Sequence, residues 1–194
     1  MEETLAEHSA RLRALLHTAP SREGWEAIVA SLKDWPEARG RAAALKRVAT
    51  HLARWPATVC QANLTYNLYF GSKLSHPFPV LIRSVDWDVD SDCFQAQSIP
   101  QVLGAFPHLE SVIIRITDTD CSVKWLKHLR DECVQACDTA IAQSASLVEC
   151  ETWVVGYHIG PEEHRESLAD RWQRGSGWES LYDSWETIAA RHDT

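Results

Sequence analysis

The 194-residue sequence contains no apolar run approaching the ~20 residues that a membrane helix requires. Its eight glycines form no Gly-x-Gly-x-x-Gly, Walker or Gly-x-Ser-x-Gly arrangement, so those phosphate cradles and nucleophile elbows are missing. Positive charge is scarce. Lys and Arg number 19 against 27 Asp and Glu, a formal charge of −8, which opposes nucleic-acid binding because phosphate contacts need cations. The opening Met1-Glu2-Glu3-Thr4 is acidic and lacks the apolar stretch of a secretion signal, and we read the chain as cytoplasmic. Six cysteines in that setting are expected as reduced thiols, not a disulfide framework. With 45% apolar and 24% charged residues, the composition is that of a folded chain long enough to need no metal or disulfide staple.

Tryptophan is in excess: nine residues spread from Trp25 to Trp185, roughly three to four times ordinary usage. One reading makes them large core fillers whose indole N–H needs a partner. The other makes some of them anchors of an interface.

The chain divides into an N-terminal helical region (1–75), a strand–helix–strand–helix–strand region (76–160) and a C-terminal helical tail (161–194). In the first, Leu5, Leu12, Leu15 and Leu16 make one helical stripe. Ser21 reads as the N-cap of a second helix burying Trp25, Ile28, Val29 and Leu32. A third carries Ala44, Leu45, Val48 and Leu52. The second and third end at Asp34-Trp35-Pro36 and Arg54-Trp55-Pro56, because the residue before proline is steered out of the α region. Trp35 and Trp55 are expected to fold over this helix pair as plugs.

The pattern then becomes β-rich over residues 80–87, 109–116 and 147–155, with helical stretches over 94–105 and 122–144 between. Alternating strands and helices predict an α/β fold with a small, mainly parallel three-strand sheet and crossover helices. Residues 162–173 and 178–189 predict two tail helices, the second with Trp178, Leu181, Tyr182, Trp185 and Ile188 on one face, capping the open end of the sheet.

The strands share an outline, Ile82-x-x-Val85-x-Trp87, Leu109-x-x-Val112-x-Ile114 and Leu147-x-x-Cys150-x-Thr152. The first two lie 27 residues apart, inside the roughly 20–29-residue period of leucine-rich repeats. Residues 21–155 therefore resemble a short, degenerate leucine-rich repeat with a Trp-Pro helical cap. The step of 38 residues to the third strand and the missing turn asparagine depart from a regular solenoid. A generic three-layer α/β domain is the alternative. The helical start, small sheet and Trp-rich tail also resemble the small partner subunits of iron-dependent oxidases that modify ribosomal peptides, as in methanobactin biosynthesis. That resemblance implies that a sheet edge holds a precursor's leader peptide and that the tail around Trp178 and Trp185 meets the oxidase.

Asp86, Asp88, Asp90 and Asp92 alternate like the start of an EF-hand loop. Ser91 stands where the loop needs glycine and Gln97 where it needs glutamate, which rejects that calcium site. With Asp118 and Asp120 after the second strand, these acids would gather at the carboxyl ends of a parallel sheet, where they would attract a basic peptide or a hard cation or else form a solvated acidic rim. Cys133 and Cys137, four apart on a helix, have no second pair for a zinc site and read as core thiols. No nucleophile stands beside a visible base.

These features predict a non-catalytic subunit, without a cofactor, that recognises another protein or a peptide. Sheet-edge addition would supply main-chain bonds. The outward positions Asp86, Asp88, Ile113, Arg115, Glu151 and Trp153, with Trp178 and Trp185 on the tail, are the expected contact residues. Two alternatives are an acidic immunity- or inhibitor-type binding protein and a metal-dependent enzyme using cysteines and histidines.

Overall fold

The computed structural model describes residues 4–67, 71–119, 122–157 and 165–182. Helix α1 (Leu5–Leu16) begins with a capping box. The Thr4 hydroxyl accepts from the Glu7 N–H at 3.3 Å, and the Glu7 carboxylate accepts from the Thr4 N–H at 2.8 Å. Ser21 caps α2 (Arg22–Lys33) by accepting from the Gly24 N–H at 3.0 Å, and Trp25, Ile28, Val29 and Leu32 are buried as their spacing predicts. Helix α3 (Ala38–Leu52) buries Ala44, Val48 and Leu52. Both Trp-Pro stops act as plugs over glycines. A Cβ at Gly40 would lie 2.8 Å from the Trp35 Nε1, and one at Gly24 would lie 3.7 Å from the Trp55 ring.

Strands β1 (Gln61–Asn67) and β2 (Gly71–Lys73) follow, then a 3-10 turn (Pro79–Leu81), β3 (Ser84–Asp90), α4 (Ser98–Gly104), β4 (Ser111–Thr119), α5 (Val123–Gln143), β5 (Glu149–Tyr157), β6 (Arg165–Gln173) and β7 (Gly177–Tyr182). They form one seven-stranded sheet ordered β2-β1-β3-β4-β5-β6-β7. Strands β1, β3, β4 and β5 are parallel, while β2 on one flank and β6 and β7 on the other are antiparallel.

Parallel strands laid down side by side in one direction, with right-handed crossovers, carry their connecting helices on one face. The buried face holds Leu64, Val85, Trp87, Val112, Ile114, Ile116, Cys150 and Val154, which join the helix residues in one core. Helix α5 is fastened to it by polar contacts. Arg130 donates to both carboxylate oxygens of the buried Asp170 on β6, at 2.6 and 2.5 Å. Trp125 Nε1 donates to Asp118 on β4 at 2.9 Å, and Trp178 Nε1 donates to Asp138 on α5 at 2.7 Å.

The small, mainly parallel three-strand sheet is therefore corrected to a mixed seven-stranded one; the α/β class stands. Two misreadings caused the difference. Residues 61–73, assigned to the helical region, hold β1 and β2. Residues 165–182, assigned to the helical tail, hold a hairpin with Gly175 at φ +92° and Gly177 at φ +79° in and beside its turn. Left-handed φ values favour glycine, and Gly175-Ser176-Gly177 is a hairpin turn, not a gap between helices. The strand expected over 80–87 starts later because Pro79, with fixed φ and no N–H, opens a 3-10 turn first. As a result β3, β4 and β5 are interior strands; the described sheet ends at β2 and β7. The second tail helix, over 178–189, is replaced by β7 up to Tyr182, and its remainder lies outside the described residues.

Candidate functional site: the sheet face opposite the helices

Side chains alternate across a pleated strand, so register decides which residues share a face. Opposite the helices, one row runs Asn63, Asp86, Ile113, Glu151 and Arg171, and the next runs Thr65, Asp88, Arg115, Trp153 and Ala169. The six strand positions singled out from the sequence thus lie together on two adjacent rows. Asn63, Thr65, Asp88 and Thr117 are exposed, Asp86, Ile113, Arg115, Glu151, Trp153 and Arg171 are half-buried, and Ala169, Val155 and Ser167, on the same face towards the β5–β6 flank, are buried.

Two arginines organise this face. Arg115 bridges Asp86 and Asp88 on the neighbouring strand, the second at 3.5 Å. Arg171 donates through Nε to Glu151 at 2.8 Å, and its guanidinium also lies within 3.4 Å of Glu149 and 4.0 Å of Glu179. The hydrogen bond to Glu151, then that carboxylate's charge, holds the Arg171 guanidinium above its ordinary pKa. Glu151 also accepts from Trp153 Nε1 at 3.3 Å, which fixes the indole beside the ionic cluster. Between the clusters, Ile113 and Trp153 supply an apolar centre. By register the face holds Asp86, Asp88, Asp90, Glu149, Glu151 and Glu179 against Lys73, Arg115, Arg165 and Arg171, an excess of acid. Asp88 and Glu179, with side chains 61% exposed, keep most of their oxygens open to water.

Other expected residues fall elsewhere. Trp178 pairs with Trp172 and turns to α5, on the opposite face of the sheet. Trp185 and Asp120 lie outside the described residues. Asp118 is buried on the helix side, so the acids after β3 and β4 do not form one cluster. Sequence reasoning missed Arg171 and Glu179, because helices are read where β6 and β7 run, and with them Glu149, whose ionic partner Arg171 lies on β6. Hydrophobic periodicity did not mark β6, since Leu168-Ala169-Asp170-Arg171-Trp172 runs apolar, apolar, charged, charged, apolar; the available signal was the Gly175-Ser176-Gly177 turn.

Cys133 and Cys137 face Cys150 across the α5–β5 interface, and all three are buried. Hydrogen bonding to Cys137, reinforced by burial, raises the pKa of both Cys133 and Cys150. Among the described residues no group of three or more His, Cys, Asp or Glu side chains is placed to hold a metal ion. Nor is any described helix long and apolar enough to cross a membrane. Compared with protein-family models, with curated proteins and with solved structures, the chain matches none.

Proposed function

We propose that the chain is a non-catalytic recognition subunit that binds a basic polypeptide segment on the sheet face opposite the helices. The observation that carries this reading is the placement of half-exposed Ile113 and Trp153 between two arginine-centred carboxylate clusters. Interfaces place apolar and aromatic anchors at the centre and a polar, wet rim around them, and the two rows have that arrangement. Excess carboxylate speeds encounter with a cationic partner and rejects an anionic one. With β3, β4 and β5 interior, contact runs through side chains on the face and not through the backbone of those strands. A peptide and the exposed loop of a basic enzyme are both candidate partners. The open carboxylates of Asp88 and Glu179 favour the second, inhibitor-type use to the same degree.

The test is affinity capture from the native cell with wild type, Ile113→Lys and Trp153→Ala as bait, followed by titration of the captured partner. Both side chains are half-exposed, so the variants are expected to fold. A basic partner held by wild type and weakened at least tenfold by each variant supports the reading. Equal capture by all three baits, or turnover of a small molecule by the isolated chain, overturns it.

A further inference from the structure

Away from the sheet face, a groove of about 580 Å³ lies between α3, the Pro79–Leu81 turn and the segment before β4. That size falls within the range of small-molecule sites, which are mostly apolar with a few convergent polar groups. Its walls are Leu45, Ala49 and Val80, all partly buried against the core, and the buried Leu81. Lys46 and His108, both exposed, stand at its margin.

The base of the groove is rigid and its charge is compensated. Arg83 makes a two-pronged ion pair with Glu110, Nε to Oε1 at 2.7 Å and Nη2 to Oε2 at 2.8 Å. The same guanidinium donates to the backbone carbonyls of Leu52, at 3.0 Å, and Trp55. Leu52 is the last residue of α3 and Trp55 lies just beyond it, so Arg83 covers the end of the helix whose dipole would repel an anion. Glu110 is likewise neutralised. Lys46 is then the one full charge lining the groove that has no opposite charge paired with it among the described residues. The surrounding helix has the same sign. From Ala38 to Arg54 the chain has Arg39, Arg41, Lys46, Arg47 and Arg54 and no Asp or Glu, although its formal charge is −8.

We propose that this groove binds a free, single-chain amphiphilic anion, its apolar tail along Leu45, Ala49, Val80 and Leu81 and its carboxylate at Lys46 and His108. None of the lining residues belongs to the sheet face, so this site stands or falls independently of the recognition reading.

The experiment is calorimetric titration of the whole chain with dodecanoate below its micelle concentration, with dodecylammonium as the charge-reversed control and anionic phospholipid vesicles as the membrane control. One saturable dodecanoate site is expected, with dodecylammonium at least tenfold weaker. Lys46→Glu, an exposed change, is expected to weaken dodecanoate about tenfold, the scale of a charge-assisted hydrogen bond. Ala49→Trp fills the groove and is expected to abolish binding. Its fold is checked by circular dichroism; should it unfold, Leu45→Lys is used in its place. No saturation by dodecanoate, equal binding of the ammonium, unchanged affinity in both variants, or binding to vesicles alone would overturn the proposal.

Discussion

His76 occupies a place where a positive charge is costly. Its ring stacks on Trp25 with centroids 6.1 Å apart, and its Nδ1 accepts from the Phe78 N–H at 3.1 Å. Burial, then the cations Lys33, Lys73 and Arg22, lowers its pKa below the ordinary 6.5. In the unfolded chain the ring regains the ordinary value and takes up a proton first as pH falls. The contribution of neutral His76 is therefore complete above 6.5 and is lost as pH drops from 6.5 towards the folded value. Asn at this position keeps an oxygen near Nδ1 for the Phe78 amide without titrating. Urea unfolding at about pH 7 and about pH 5 is expected to show a larger loss of stability in wild type than in His76→Asn. A second residue-scale expectation concerns the thiols. Cys60, Cys93, Cys133, Cys137 and Cys150 are all buried, and burial raises Cys60 to about 11. Iodoacetamide under native conditions is expected to leave these five unlabelled by mass spectrometry while labelling them after denaturation. Much at this scale was legible in the sequence: the Ser21 cap, the Trp-Pro stops and the outward strand positions follow from local stereochemistry and a period of two. The partners were not, because Trp35 over Gly40 or Arg83 on Glu110 depends on tertiary approach.

Among the elements, the β6–β7 hairpin holds the most information that the sequence reading lacked. An isolated stretch such as residues 162–173 has polar residues at many spacings, and charge alone does not separate a helix from a strand lying on a solvated face. Tertiary pairing decides. Trp172 sits opposite Trp178, Asp170 reaches Arg130, and Arg174 donates to the carbonyls of Ser144, Ala145 and Leu147 at the end of α5. The hairpin thereby closes the flank of the parallel strands that the sequence had left to a helical cap. Gly175→Ala places a Cβ at φ +92°, and the cost is expected to be about 1–2 kcal/mol by chemical denaturation. Asp170→Ala leaves Arg130 without its buried partner, at an expected cost of about 3 kcal/mol. If Asp170→Ala costs less than Gly175→Ala, the ion pair is not what fastens α5 to the sheet.

For the molecule as a whole, charge is segregated, with cations along α3 and an excess of carboxylates on the sheet face opposite the helices. Composition gave only the net of −8, and topology alone revealed this separation, because β5, β6 and β7 must pair before Glu149, Arg171 and Glu179 become neighbours. The resemblance to a leucine-rich repeat and to a peptide-modifying partner subunit named a way of using strands, yet neither contained the antiparallel additions that turn an edge into a face. Segregated charge has a measurable consequence for the proposed recognition. Exposed carboxylates act at a distance on a cationic partner and are screened by salt, whereas a seated indole is not. Raising salt from about 0.05 to about 0.5 M, which shortens the Debye length several-fold, is expected to slow association with the captured partner. The double variant Asp88→Asn with Glu179→Gln is expected to flatten that dependence while leaving dissociation nearly unchanged. Trp153→Ala is expected to do the reverse, keeping the slope and speeding release. Identical salt slopes in wild type and the carboxylate variant would mean that the partner does not approach through this face, since only there do these two acids stand beside the Ile113 and Trp153 rows.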